Sequence, residues 1–193
     1  MPTSPIDSIG ELPFPLISNA TFSQATSEIE CEVMSLFEQF RNPLLRYILS
    51  FGIPLHDAEE VTQEVFLSLF RHLQLRRSRR NLPGWMFRVA HNLALKQRHA
   101  NQRSRETTTD VWSIVEKQSD PSPSPEEEVL FTQKHRRLLA VFHALPDQDQ
   151  YCLRLRAEGL RYRAIATALG ISLGAVSISL TRSLARLARA DRR

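Results

Sequence analysis

Residues able to grip a polyanion fall in two places in this chain. The first set is Arg76, Arg77, Arg79 and Arg80, followed by Trp85, Arg88, His91, Asn92 and Lys96. The second is Arg161, Arg163, Ser172, Ser177, Ile178, Ser179, Thr181 and Arg182. Their chemistry is recognition. Guanidinium and ammonium groups neutralise phosphates, hydroxyls and amides hydrogen-bond base edges, an indole stacks on an unpaired base, and an aliphatic side chain meets a thymine methyl. Nothing in either set has the make-up of a reaction centre. There is no Ser/His/Asp set and no Gly-rich phosphate loop. His91 and His99 stand eight residues apart without a third ligand, and Cys31 and Cys152 form no CxxC pair. No catalytic residue, cofactor or metal is therefore expected.

Charge is segregated along the chain. Residues 1–70 carry a net −8, 71–105 a net +10 with no acid, 106–133 a net −6 and 134–193 a net +8, for a total of +4. Two basic surfaces thus flank an acidic spacer, so a polyanion touching both would be held with strong salt dependence. A solvated face would account for RRSRR at Arg76 to Arg80 taken alone; basic blocks beside two separate helical elements favour a polyanion. The two distant cysteines suit a reducing cytoplasm. No apolar stretch approaches membrane-spanning length and the start of the chain has no secretory pattern, so membrane insertion is not expected.

The elements that must position these residues are helices. Apolar residues recur at helical spacing from Ile29 to Phe51, with Pro43 as an expected kink or break. A second helix is expected to be capped by Asp57, burying Ala58, Val61, Val65, Leu69 and Leu73 and turning Glu59, Glu60, Gln63 and Glu64 outward. A third runs from Trp85 to about Gln102, with Met86, Val89, Ala90, Leu93 and Ala94 buried. Taken alone, Trp85 fits a half-buried core position as well as a base platform.

Later, Glu126 to Ala144 is helical, and Asp147 is expected to cap the next helix. Tyr162 to Leu169 is a short helix, Gly170 a turn needing positive φ, Ser172 a cap, and Leu173 to Leu187 a helix with Val176, Leu180, Leu184 and Leu187 as its apolar stripe. This last pair reads as a helix-turn-helix whose second helix enters a major groove, although tight helix pairs about a glycine also occur in ordinary bundles. The expected fold is all-α, two small helical domains joined by a flexible linker. Residues 1–27 form a disordered tail, 28–102 one domain, 103–125 an acidic Pro/Ser-rich linker and 126–193 the helix-turn-helix domain.

The order of parts resembles a bacterial sigma factor of the sigma-70 family, in its short extracytoplasmic-function group. Asp57-Ala58-Glu59-Glu60-Val61-Thr62-Gln63-Glu64-Val65-Phe66 looks like that family's polymerase-binding helix. Trp85-Met86-Phe87-Arg88-Val89-Ala90-His91-Asn92-Leu93-Ala94 looks like its promoter-melting helix, and Leu145-Pro146 with the helix-turn-helix looks like the region that reads the -35 element. The resemblance covers roughly Glu28 to Leu187. It implies docking on the β′ coiled coil of core RNA polymerase through Asp57, Glu60, Gln63 and Glu64. It further implies a grip on the opened -10 element through the basic loop and the Trp85 helix, and a -35 contact that also touches the β flap. Many members of the group are held inactive by an anti-sigma factor. The free chain is expected to bind promoter DNA poorly, because each reader is weak and polymerase sets their spacing.

The chain departs from the family pattern in four places. Lys96 stands where an Asp is usual, Ala164 where a Glu is usual, and Ser177 and Ser179 where Lys and Arg face the groove. Bidentate guanine readout is lost there, leaving serine hydrogen bonds and an Ile178 contact to a thymine methyl. Two other readings stay open: a stand-alone helix-turn-helix regulator, and a sigma-derived protein-binding adaptor.

Overall fold

The computed structural model describes the backbone of residues 19–107 and 125–192, and side chains over 27–103 and 133–192. Seven helices follow one another: α1 (Asn19–Leu49), α2 (Leu55–Gln74), α3 (Leu82–Thr107), α4 (Pro125–His143), α5 (Asp147–Ala157), α6 (Tyr162–Leu169) and α7 (Leu173–Asp191). No strand occurs among the described residues. The all-α expectation holds.

The periodic apolar positions do the packing. On α2, Ala58, Val61, Val65, Leu69 and Leu73 are all buried, facing α1 and α3. Leu44, Tyr47 and Ile48 of α1 and Met86 and Phe87 of α3 meet them with at most 1% exposure. Each large apolar side chain so buried stabilises the fold by about 1.5–3 kcal/mol. Phe87 lies outside the stripe expected from sequence because the first turn of α3 is covered on two sides. In the second half α7 packs against α4, α5 and α6, and Cys152, Leu155, Ile165, Val176 and Leu180 fill the centre. These buried residues join those of the first half in one continuous cluster, and α3 lies directly against α6.

Several boundaries differ from the sequence expectation for local reasons. Residues 19–27, expected in the tail, already belong to α1, since the last helix breaker before them is Pro15. Pro43 does not end α1; the helix runs through it to Leu49. The expected linker start, 103–107, is the last turn of α3. The remainder of the expected tail and linker, with Val111, Trp112, Ile114 and Val115, lies outside the described residues. Neither Asp57 nor Asp147 is a cap. Pro54 and Pro146 hold those positions, their fixed φ placing the aspartates inside the first turn. Leu184, expected in the buried stripe, is 52% exposed at a shallow apolar cleft between α4 and α7. No single helix among the described residues is long and apolar enough to cross a membrane.

Candidate nucleic-acid interface

The helix-turn-helix is built as its local sequence requires. Gly170 adopts φ 67°, the left-handed region where a Cβ would be strained. Ser172 Oγ accepts the Ala175 N–H at 3.1 Å and so satisfies one open donor of α7. α6 and α7 meet at 106°, within the range of this motif. The outward face of α7 then carries Leu173, Ser177, Ile178 and Thr181, with Ile178 66% exposed. Arg161, Tyr162 and Arg163 are exposed at the start of α6, and the Arg156 guanidinium sits 6.0 Å from the Tyr162 ring.

Two residues expected on this face are engaged elsewhere. Ser179 is buried and donates to Asp149 Oδ1 at 2.7 Å. Arg182 forks onto the same carboxylate at 2.7, 2.9 and 3.2 Å. Burial alone would raise the Asp149 carboxyl, but the bonds from Ser179 and Arg182 and the guanidinium charge together hold it below its usual value. Ser179 therefore fastens α7 to α5 and is removed from the groove face, and Arg182 is tied to a carboxylate. The helical wheel of α7 cannot foresee this, because the acid lies about thirty residues away.

The first recognition set surrounds the loop between α2 and α3. Residues Arg76 to Arg80 are exposed, and the loop is bracketed by two non-glycine residues in the left-handed region, Arg76 at φ 50° and Asn81 at φ 57°. Arg79 pairs with Glu32 at 3.3 Å. Trp85 packs on His72, ring centroids 4.4 Å apart, and is half-buried. Arg88, Asn92 and Lys96 are exposed along α3.

His91 differs from its neighbours. Its ring lies 4.8 Å from Tyr151 of α5 and 5.6 Å from Phe51, and its Nδ1 is 2.9 Å from Tyr47 Oη. Burial pushes the Tyr47 phenol upward and the His91 imidazole downward, so a protonated phenol donates to a neutral ring. The expected DNA contact by His91 is thus covered in this arrangement. Tyr151 was not singled out by the sequence.

The outer face of α2 is acidic as expected, with Glu59, Glu60 and Gln63 exposed and Glu64 half-buried. Asp57 turns the other way. Its Oδ2 accepts from Asn101 at 2.8 Å and Gln97 at 3.1 Å, bonds that lower its carboxyl below the usual range. It ties α2 to α3, and the docking face is left to Glu60, Gln63 and Glu64. Glu60 and Gln63 border a cleft with Phe37, Arg41 and Leu45 of α1. Among the described residues no group of three His, Cys, Asp or Glu converges as a metal would need.

A crossed helix pair with an open second helix, preceded by a basic loop on an acid-faced three-helix unit, defines a two-part helical DNA-binding protein. Comparison with known proteins resolves its family. Residues 36–104 match Sigma-70 region 2 and residues 135–187 match Sigma-70, region 4. The chain belongs to the sigma-70 family of RNA polymerase sigma factors, in its extracytoplasmic-function group.

Among relatives, the probable RNA polymerase sigma factor RfaY of Xanthomonas campestris pv. campestris is 33% identical over 131 residues, 66% of this chain and 32% of that protein. The ECF RNA polymerase sigma factor SigE of Mycolicibacterium smegmatis is 31% identical over 133 residues, 68% of this chain and 51% of that protein. The chain thus spans between a third and a half of these two relatives. The ECF RNA polymerase sigma-E factor of Haemophilus influenzae is 27% identical over 147 residues, 72% of this chain and 75% of that protein. In fold, the chain is similar to CnrH in complex with the cytosolic domain of CnrY, with TM-score 0.55, 20% identity, and coverage of 86% of this chain and 92% of that one. It is also similar to RpoE of Bartonella quintana in complex with the anti-sigma factor NepR, with TM-score 0.56, 15% identity, and coverage of 81% and 94%.

Proposed function

We propose that this protein joins core RNA polymerase and directs it to promoters, contributing recognition and strand opening without chemistry of its own. The observation that carries this reading is the presence in one chain of three surfaces in fixed order. These are an acidic α2 face, a basic loop beside the Trp85 helix, and an open recognition helix on a crossed pair. Glu60, Gln63 and Glu64 dock on the β′ coiled coil. Arg76, Arg77, Arg79 and Arg80 with Arg88, Asn92 and Lys96 hold the phosphates of the separated -10 strand, while Trp85 braces the start of α3 beside them. Unstacking costs a few kcal/mol per step, which those contacts offset.

At the -35 element, Ser177, Ile178 and Thr181 face the groove. Arg161 and Arg163 contact phosphates, which position the domain without specifying sequence. With no Lys or Arg at positions 177, 178 and 181, -35 discrimination is weak and leans on thymine methyls. A cytoplasmic site of action and control by an anti-sigma factor belong to the same reading. The lack of charge on the recognition face also favours a second reading, a protein-binding adaptor.

Run-off transcription with core polymerase and a pool of promoter fragments tests both. Transcripts that depend on the added protein support the promoter reading. Co-purification with core without transcripts supports the adaptor, and a shift of duplex DNA without any affinity for core supports a stand-alone regulator.

A further inference from the structure

The two DNA readers of this chain touch each other. Gly84, in the first turn of α3, is buried against α6. A Cβ built on it would stand 3.0 Å from both the Cα and the carbonyl oxygen of Ala164, and 2.5 Å from Asn81 Nδ2. Asn81 in turn donates to Thr167 Oγ1 at 2.8 Å and reaches the Arg163 carbonyl oxygen at 3.4 Å. At one edge of this contact Arg46 forks onto Glu158 at 2.6, 3.1 and 3.2 Å, the Glu158 side chain being only 12% exposed. At the other edge Tyr151 stacks on Phe51 at 5.3 Å and closes over His91. Every one of these pairs joins the region 2 half to the region 4 half.

This arrangement is incompatible with simultaneous reading of both elements. The -10 and -35 elements, named for positions about 25 base pairs apart, lie roughly 80 Å from each other along B-form DNA at 3.4 Å per pair. Here α3 and α6 are in van der Waals contact. The connecting residues, 108–124, reach at most about 60 Å when extended. Together with the breadth of the two halves this is enough to let them separate.

The contact depends on two small residues facing each other, and one of them is a departure already noted. Ala164 stands where the family usually has Glu. A glutamate there would carry a charge into a position only 6% exposed, against Gly84.

We propose that the free chain is self-occluded: α5 and α6 of the helix-turn-helix half cover the start of the -10-reading helix through a Gly84–Ala164 contact, and core polymerase binds the opened form. This regulation rests on the promoter reading above, but its first test does not. The full chain is labelled at exposed Cys31 and at a cysteine introduced by Ala185→Cys, Cys152 being buried, and energy transfer is read without polymerase.

The wild type should give one high-transfer population. Ala164→Glu should raise the low-transfer population roughly tenfold or more, given the cost of burying an unpaired carboxylate. Because Glu is the family's usual residue there, loss of fold is not the expected cause. A second pair guards the result. Glu158→Arg should open the molecule, and adding Arg46→Glu should close it again. Core polymerase should shift the wild type to low transfer. A wild-type chain already at low transfer, or an Ala164→Glu chain indistinguishable from it, overturns the proposal while leaving the promoter reading untouched. Closed chains that core does not open overturn the second half of the proposal.

Discussion

Replacing Asp149 should destabilise the protein well beyond what a surface aspartate would. The carboxylate is 1% exposed and receives one bond from Ser179 and three from Arg182. Removing one member of a fully buried ion pair costs about 3–5 kcal/mol. Here the Arg182 side chain is 50% exposed and returns to water, so that full penalty does not apply. What stays behind is a buried Ser179 hydroxyl without its acceptor, together with the lost charge-assisted bonds, each of order 1.5–3 kcal/mol. Asp149→Ala should therefore cost about 2–3 kcal/mol, and Asp149→Asn about 1–2 kcal/mol, because the amide oxygen still accepts from Ser179.

Urea unfolding of the full chain at pH 7.5 measures both. The pH dependence adds a sign. The folded carboxyl lies below its unfolded value, so its contribution is present above the ordinary aspartate pKa and is lost as pH falls through the lowered folded value. The gap between wild type and Asp149→Asn should accordingly narrow below about pH 4. A loss under about 0.5 kcal/mol for Asp149→Ala would show that the α5–α7 clamp is not fastened by this carboxylate.

Two further outcomes follow from the geometry. Ser172→Ala should cost about 1 kcal/mol of stability through loss of the Ala175 N–H bond, and Ser172→Gly only a few tenths, as read by thermal unfolding; equal losses would point away from capping. His91 is held neutral in the fold among Tyr47, Phe51 and Tyr151, with the Arg154 guanidinium 5.9 Å from both the Phe51 and Tyr151 rings. Burial lowers its folded pKa, so its contribution is complete above the unfolded histidine value and falls as pH drops below it. The high-transfer population of the labelled free chain should shrink between pH 7.5 and 5.5 and do so less in His91→Gln; a pH-independent population would remove His91 from the closure.

What the sequence determined by itself was whatever depends on neighbours a few residues apart. Apolar spacing at three and four residues gave α2 and its buried stripe. A glycine at a φ 67° turn and a serine one capping distance before Ala175 gave the helix-turn-helix, and runs of like charge marked the two basic surfaces. Those signals act within one turn of helix, so the chain carries them whether or not it is folded.

Which polar group meets which was decided only by tertiary structure. Asp57 and Asp149 read as a cap and a first-turn acid, yet they became ties across 44 and 33 positions, to Asn101 and Arg182. Ser179 and His91 read as DNA contacts, yet one is fastened to Asp149 and the other covered by Tyr151. A buried carboxylate takes whichever donors the packing brings within about 3 Å, and an α-helix offers every face to that choice until its neighbours arrive. The Gly84–Ala164 contact belongs to the same class. Two small residues eighty positions apart carry no local signal, and only the approach of α3 to α6 turns their missing atoms into an interface.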